Sequence, residues 1–203
     1  MKEPEAHFFE LISKATDSGQ QVVFPKHRRS EAYDRACVHI EKLLTDAMLL
    51  HEAGSWSRAT FLAITAMEEC AKLAVGLYRA EAQPKGRRRG DPLFSHGDKH
   101  RLAFSPTILL GGRLEGKLGR KRVQELLALI YEGKLVDIRE DCLYFSATED
   151  TLKVPEDVID EKLCQALLLL AIEICDDSLV GLTNYSFEVG KHLESLFLRV
   201  AGG

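Results

Sequence analysis

Apolar residues recur along this chain at intervals of three and four positions, which is the period of an amphipathic α-helix. Between residues 31 and 53, after Ser30 as a candidate N-cap, they occupy positions 33, 36, 37, 40, 43, 44, 47 and 48. Gly54 and Ser55 separate this predicted helix from a second one over 55–83. So short a junction predicts that the two helices pack antiparallel as a hairpin.

The same period predicts four more helices. Two are long, at 113–133 and 155–185, and two are short and terminal, at 4–17 and 187–201. The stretches between them carry glycine, proline and charged residues without an alternating strand pattern, at 18–30, 84–101 and 139–154. With 203 residues and no internal repeat, the chain is predicted to form one domain over 1–203. The predicted fold class is all-α, a bundle of four principal helices plus short terminal helices.

The second predicted helix contains an unusual group of charges. Between Ala59 and Tyr78 the sequence reads ATFLAITAMEECAKLAVGLY, where Glu68, Glu69 and Lys72 are the only carboxylates and amines. At the centre of a lipid-exposed helix each would cost roughly 2.5–3.5 kcal/mol, so a membrane span is excluded and a helix buried in protein is predicted. Two alternatives remain for the charges. They form either a local ion pair on a strip that faces water or a network in which Glu69 and Lys72 face inward.

Candidate partners for such a network lie in the two irregular segments that follow, where functional groups tend to be found. They are His96 in segment 84–101 and Arg139 in segment 139–154. His96 and His100 have helical spacing, but Gly97 disfavours a helix there. Because a zinc site needs a third ligand and the sequence has no H-E-x-x-H motif, no metal site is predicted.

Composition adds two expectations. The net charge is −4, so nucleic-acid binding must rest on a local patch, and the segment 84–101 provides one with Arg87, Arg88, Arg89 and Arg101. That patch is either a solvated loop or a surface that contacts phosphates. Five cysteines without a C-x-x-C pair, and an N-terminus without the pattern of a secretory signal, predict a cytoplasmic protein with reduced thiols.

The succession of AGSWSRATFLAITAMEECAK, FSHGDKH and REDCLYF resembles the AbiV family of abortive-infection proteins, which is placed in the HEPN superfamily of small helical bundles. The resemblance covers about residues 31–185. It implies a HEPN-like, dimeric bundle that defends bacteria against phage. The residues that match the family's elements are Glu68, Glu69 and Lys72, then His96 and Lys99, then Arg139, Cys142, Leu143 and Tyr144.

Two functions follow as hypotheses. Many HEPN proteins are metal-independent ribonucleases, and RNA cleavage needs a proton acceptor near neutrality and a cation at the phosphate. The catalytic candidates are His96, Lys99, Arg139, Glu69 and Lys72. The candidate RNA contacts are Arg87, Arg88, Arg89, His100, Arg101 and Tyr144, and His100 is also a second candidate for the general acid or base. The alternative is a non-catalytic dimeric protein that blocks translation by binding RNA, ribosomal components or a phage protein.

Neither hypothesis involves a cofactor, since the sequence has no phosphate-binding glycine loop and no dinucleotide-binding fingerprint. A homodimer is predicted on a second ground as well. The apolar run Leu167–Ile174 exceeds what one side of a helix can bury within a single four-helix bundle.

Overall fold

The computed structural model describes residues 4–17, 24, 28–79, 90–104, 112–179 and 181–202. In chain order the helices are α1 (Pro4–Asp17), α2 (Arg29–Glu52), α3 (Trp56–Tyr78), α4 (His96–Ala103), α5 (Arg113–Leu118), α6 (Arg120–Tyr131), α7 (Leu135–Asp141), α8 (Pro155–Val158), α9 (Glu161–Leu179) and α10 (Asn184–Gly202). A 3-10 turn covers Pro92–Phe94, and the two-residue strands β1 (Ser146–Ala147) and β2 (Leu152–Lys153) pair antiparallel. The predicted all-α class is confirmed.

Four of these helices form the bundle. Helix α2 packs against α3, α3 against α9, α9 against α10 and α10 against α2, so the four surround a common core. Each contributes an apolar stripe with helical spacing, such as Ile40 and Leu44 on α2 or Leu193 and Leu196 on α10. The first two long helices form the predicted hairpin, which turns at Gly54 with a φ of 75°.

The apolar run of α9 is buried inside one chain. Every residue from Ala166 to Cys175 is buried, because α2, α3 and α10 surround this helix and α5 covers it further. The argument for a homodimer from the run Leu167–Ile174 is therefore wrong, since a single bundle buries the whole run. The homodimer itself stays a prediction.

The fourth bundle helix is α10 and not the predicted helix 113–133. That segment breaks at Gly119, where φ is 80°, into α5 and α6. The predicted helix 155–185 also breaks, into α8 and α9. The Asp160 carboxylate accepts a hydrogen bond from the Leu163 N–H at 2.7 Å and thereby caps a new helix.

Two predicted boundaries of the hairpin are wrong. Helix α2 begins at Arg29, so Ser30 lies inside the helix and is not its N-cap. Helix α3 ends at Tyr78, earlier than the predicted end of the helix 55–83. Residues 80–83 of that prediction lie outside the described residues.

The segment that carries His96 is helix α4 and not a loop. Ser95 Oγ accepts a hydrogen bond from the Asp98 N–H at 3.2 Å, and this cap offsets the low helix propensity of Gly97. The C-terminal end of α4 packs into the core. The first part of the predicted loop, 84–89, lies outside the described residues.

In the described ranges, no helix has the length and apolar character that crossing a membrane requires. The five cysteines are all buried and free, as expected for thiols that pack as small apolar side chains. The cytoplasmic location stays a prediction.

Candidate functional site

Glu68 on α3 lies at the centre of a group of basic side chains. Its side chain is only 4% exposed. Oxygen Oε1 lies 2.7 Å from His96 Nδ1, 3.0 Å from His100 Nε2 and 3.3 Å from Arg139 Nε. Oxygen Oε2 accepts a hydrogen bond from Lys99 Nζ. We call these five residues the Glu68 cluster.

The helical period brings the partners together. His96, Lys99 and His100 stand at positions i, i+3 and i+4 of α4, so they share one face, and that face packs on α3. Helix α7 packs on both α3 and α4 and supplies Arg139 from its last turn. The two segments that surround Glu68 are therefore short helices attached to the long helix that carries it.

Arg139 is held from three sides. Its guanidinium lies 4.8 Å above the centre of the Phe61 ring, and Nη1 donates a hydrogen bond to Glu140 Oε1 at 3.0 Å. Its contact with Glu68 is an ion pair, because Nε makes no hydrogen bond to any described residue. With 18% of the side chain exposed, the cation is partly open to solvent.

The Glu68 carboxylate is ionised at neutral pH. Burial acts to raise its pKa, but the hydrogen bonds from His100 and Lys99 outweigh burial and lower the pKa from 4.5 to about 2. For His100, burial lowers the pKa and outweighs the opposite effect of Glu68. His100 is therefore neutral, its Nε2–H donates to Glu68, and its buried Nδ1 has no hydrogen-bond partner among the described residues.

His96 is the most exposed member of the Glu68 cluster. Its side chain is 41% exposed, against 8% for Lys99 and none for His100. With Nδ1–H donating to Glu68, the neutral ring carries its lone pair on Nε2. A carboxylate that fixes the tautomer of an imidazole in this way prepares the ring to accept a proton at Nε2.

The predicted inward network exists, but its carboxylate is Glu68 and not Glu69. Glu69 and Lys72 form an ion pair with each other, and their side chains are 25% and 38% exposed. The prediction that this pair faces the His96 segment is therefore wrong. Glu68 lies on the same stripe of α3 as Thr60 and Ile64, which are fully buried, whereas Glu69 and Lys72 lie on a half-exposed stripe.

Two other candidate site residues that the structure describes, Arg101 and Tyr144, are not brought together with Glu68. Arg101, on another face of α4, lies 3.3 Å from the Asp98 carboxylate and donates to the Tyr131 carbonyl. Tyr144 is exposed beyond the end of α7. Arg87, Arg88 and Arg89 lie outside the described residues. The catalytic and RNA-contact roles of all these residues stay predictions.

Over the part of the chain that the structure describes, no group of three or more histidine, cysteine, aspartate or glutamate side chains is placed to hold a metal ion. In the Glu68 cluster, one carboxylate already contacts a lysine, an arginine and two histidines. Side chains of these types can transfer protons and bind anions.

Glu69→Ala is expected to change the free energy of unfolding by less than about 1 kcal/mol, because a partly exposed ion pair at i, i+3 contributes little. Urea denaturation of Glu69→Ala beside Lys72→Ala measures this, and the two variants should behave alike. A loss of several kcal/mol in Glu69→Ala would show that this carboxylate is buried in the working protein.

Acid is expected to remove the stabilisation that Glu68 provides. The pKa of Glu68 is about 2 in the folded chain against an ordinary 4.5, so its contribution is complete above the ordinary pKa and is lost as the pH falls towards 2. A difference of this size corresponds to about 3 kcal/mol. In urea titrations, the gap in unfolding free energy between wild type and Glu68→Gln should narrow over this pH range, because protonated Glu68 resembles glutamine. A gap that stays constant would contradict the lowered pKa.

The chain was compared with curated proteins, solved structures and family models. No curated protein and no solved structure matches the chain. The family model for AbiV, a HEPN domain, matches residues 29–176, well over half of the chain. The matched range runs from the start of α2 into α9 and includes every member of the Glu68 cluster. The chain therefore belongs to the AbiV family of HEPN-type abortive-infection proteins.

Proposed function

We propose that this protein aborts phage infection by cleaving RNA without a metal ion, with His96 as the group that accepts the proton. The observation that carries the proposal is the partly exposed His96 ring, whose Nδ1 is held 2.7 Å from the buried Glu68 carboxylate, beside Arg139. His96 and Arg139 contact the same oxygen of Glu68, so a general base and a cation lie side by side.

The reaction is an attack of an RNA 2′-hydroxyl on the adjacent phosphorus. His96 Nε2 takes the proton of the 2′-hydroxyl as its oxygen forms a bond to phosphorus. The bond from phosphorus to the 5′-oxygen breaks, and the leaving oxygen takes a proton from solvent. The products are a 2′,3′-cyclic phosphate and a 5′-hydroxyl. Arg139 stabilises the negative charge that develops on the phosphate oxygens.

The remaining members of the Glu68 cluster act as positioning residues in this proposal. Lys99 and His100 are buried and bonded to Glu68, so they hold the carboxylate in place and do not touch RNA. Glu69 and Lys72, which pair with each other, have no part in the chemistry. This narrows the catalytic candidates to His96 and Arg139.

RNA binding is assigned to the basic residues near α4. Arg101 is partly exposed on that helix, and Arg87, Arg88 and Arg89 precede it in the sequence. Lysine and arginine contacts to phosphates give affinity without sequence preference. HEPN domains often dimerise, and we propose that this chain acts as a homodimer on RNA or on the translation machinery.

Incubation of the purified protein with total RNA in EDTA tests the proposal. We expect fragments with 2′,3′-cyclic phosphate ends, which metal-dependent nucleases do not leave. RNA that stays intact while cell-free translation stops would refute cleavage. That result would favour the alternative, a protein that blocks translation by binding RNA, ribosomal components or a phage protein.

A further inference from the structure

Residues 140–161 expose an apolar surface within an acidic segment. They begin at the end of α7, include the strands β1 and β2, and end at the start of α9. We call this segment the apolar hairpin. Six of its large apolar side chains are between 36% and 69% exposed, and they are Leu143, Tyr144, Phe145, Leu152, Val154 and Val158. Proteins that act alone rarely expose so many neighbouring apolar side chains.

The apolar hairpin is an ordered platform. Cys142 and Ile159, near its two ends, are 1% exposed and pack with Ala59 in a small core of their own. Between them, Thr148 N–H donates to the Thr151 carbonyl at 2.8 Å and closes the turn between the strands. The exposed side chains are therefore presented by a segment that is fixed at both ends, and their exposure is a feature of the fold.

The charge of the segment is strongly negative. Residues 140–161 contain eight acidic residues and one lysine, whereas the whole chain has a net charge of −4. Some of the acids also have local roles: Glu156 lies 3.5 Å from Arg58, and Asp160 caps α9. All of them except Asp141 are exposed, so the segment presents carboxylates together with its apolar side chains. The full set is Glu140, Asp141, Glu149, Asp150, Glu156, Asp157, Asp160 and Glu161.

We propose that the apolar hairpin is a docking site for a basic amphipathic segment of another protein. The exposed carboxylates of the segment repel phosphates, so nucleic acid is a poor occupant even though Tyr144 and Phe145 could stack on bases. A segment with lysine or arginine around an apolar face matches both the exposed apolar side chains and the negative charge of the apolar hairpin. Its apolar side chains supply the contact area and its cations direct the encounter. This proposal is independent of RNA cleavage, because the hairpin contributes no residue to the Glu68 cluster.

The first test measures binding of a fluorescein-labelled amphipathic helical peptide of lysine and leucine by fluorescence anisotropy. The double variant Phe145→Ser/Leu152→Ser should bind at least about tenfold more weakly than the wild type, because it loses two central apolar contacts. The matched control is Phe187→Ser, since Phe187 is an exposed aromatic residue on α10. That control should bind like the wild type. Equal affinity of the double variant and the wild type would overturn the proposal.

The second test addresses charge and the competing occupants. Glu149→Lys/Asp150→Lys should weaken peptide binding, and Glu188→Lys, an exposed acid on α10, should not. Two outcomes would overturn the proposal in favour of another partner. Weaker binding of an unpaired RNA oligonucleotide by Phe145→Ser/Leu152→Ser would assign the surface to RNA. Dissociation of a dimer by the same variant, seen by light scattering, would assign it to a second copy of this chain.

Discussion

Glu68→Ala is expected to lower the free energy of unfolding by about 3–5 kcal/mol, the largest effect of any single substitution in the Glu68 cluster. The loss is large because the substitution leaves largely buried positive charges without their partner. Lys99 is 8% exposed and Arg139 is 18% exposed, and without Glu68 both cations lose the buried carboxylate they face. Urea denaturation at neutral pH, followed by circular dichroism, measures the loss.

Two controls separate charge from packing. Glu68→Ala/Lys99→Met should recover part of the stability, because removing both members of a buried pair costs less than removing one. Glu69→Ala, one residue along α3, should remain close to the wild type. If Glu68→Ala lost no more stability than Glu69→Ala, Glu68 would not be the buried centre of the cluster.

His96→Gln is expected to abolish RNA cleavage while the protein stays folded. A general base contributes about 10²–10⁴-fold to a rate, so the cleavage rate should fall by that factor. Stability should change by about 1 kcal/mol or less, because the ring is 41% exposed and contributes one hydrogen bond. The measurement is the rate of fragment formation in EDTA beside a denaturation curve.

The chain offers a matched control for this substitution. His192 on α10 is 43% exposed, and its Nδ1 lies 2.6 Å from Glu41 Oε1, so it repeats the pairing of His96 with a carboxylate at a different surface. His192→Gln should cleave RNA at the wild-type rate. An equal loss in both variants would point to a general effect on folding, and full activity in His96→Gln would remove His96 from the site.

The sequence predicts the bundle well because apolar residues recur in every turn of a long helix, so the helical period is clear. The bounds of α1, the hairpin of α2 and α3 and the buried thiols all follow from it. The period does not indicate that the helix breaks at Gly119. Helices α5 and α6, on either side of this glycine, both bury apolar residues in the core. For that reason, the sequence predicts one helix over 113–133 as the fourth bundle helix, a place that α10 occupies.

The sequence predicts the basic residues of the site but not the carboxylate at its centre. His96 and Arg139 converge on α3 as expected, but on Glu68 and not on Glu69. The signal lay in the stripe of α3 that carries Thr60, Ile64 and Glu68, whose neighbours by helical spacing are buried. The sequence contains no comparable signal for the exposed apolar hairpin. Apolar residues in a sequence predict burial, and only the folded structure shows which of them remain exposed.

The Glu68 cluster contributes to the local stability of the two short helices that carry its basic residues. Helix α4 has eight residues and α7 has seven, which is too short for either to persist alone in water. Both converge on one carboxylate of a bundle helix and also bury apolar side chains in the core, Leu102 on α4 and Leu135 on α7, so tertiary contacts hold them in place. Protonation of Glu68 would weaken the polar part of this attachment, while the apolar contacts of both helices with the core remain. The amide hydrogens of α4 and α7 are therefore expected to exchange faster than those of the four long helices.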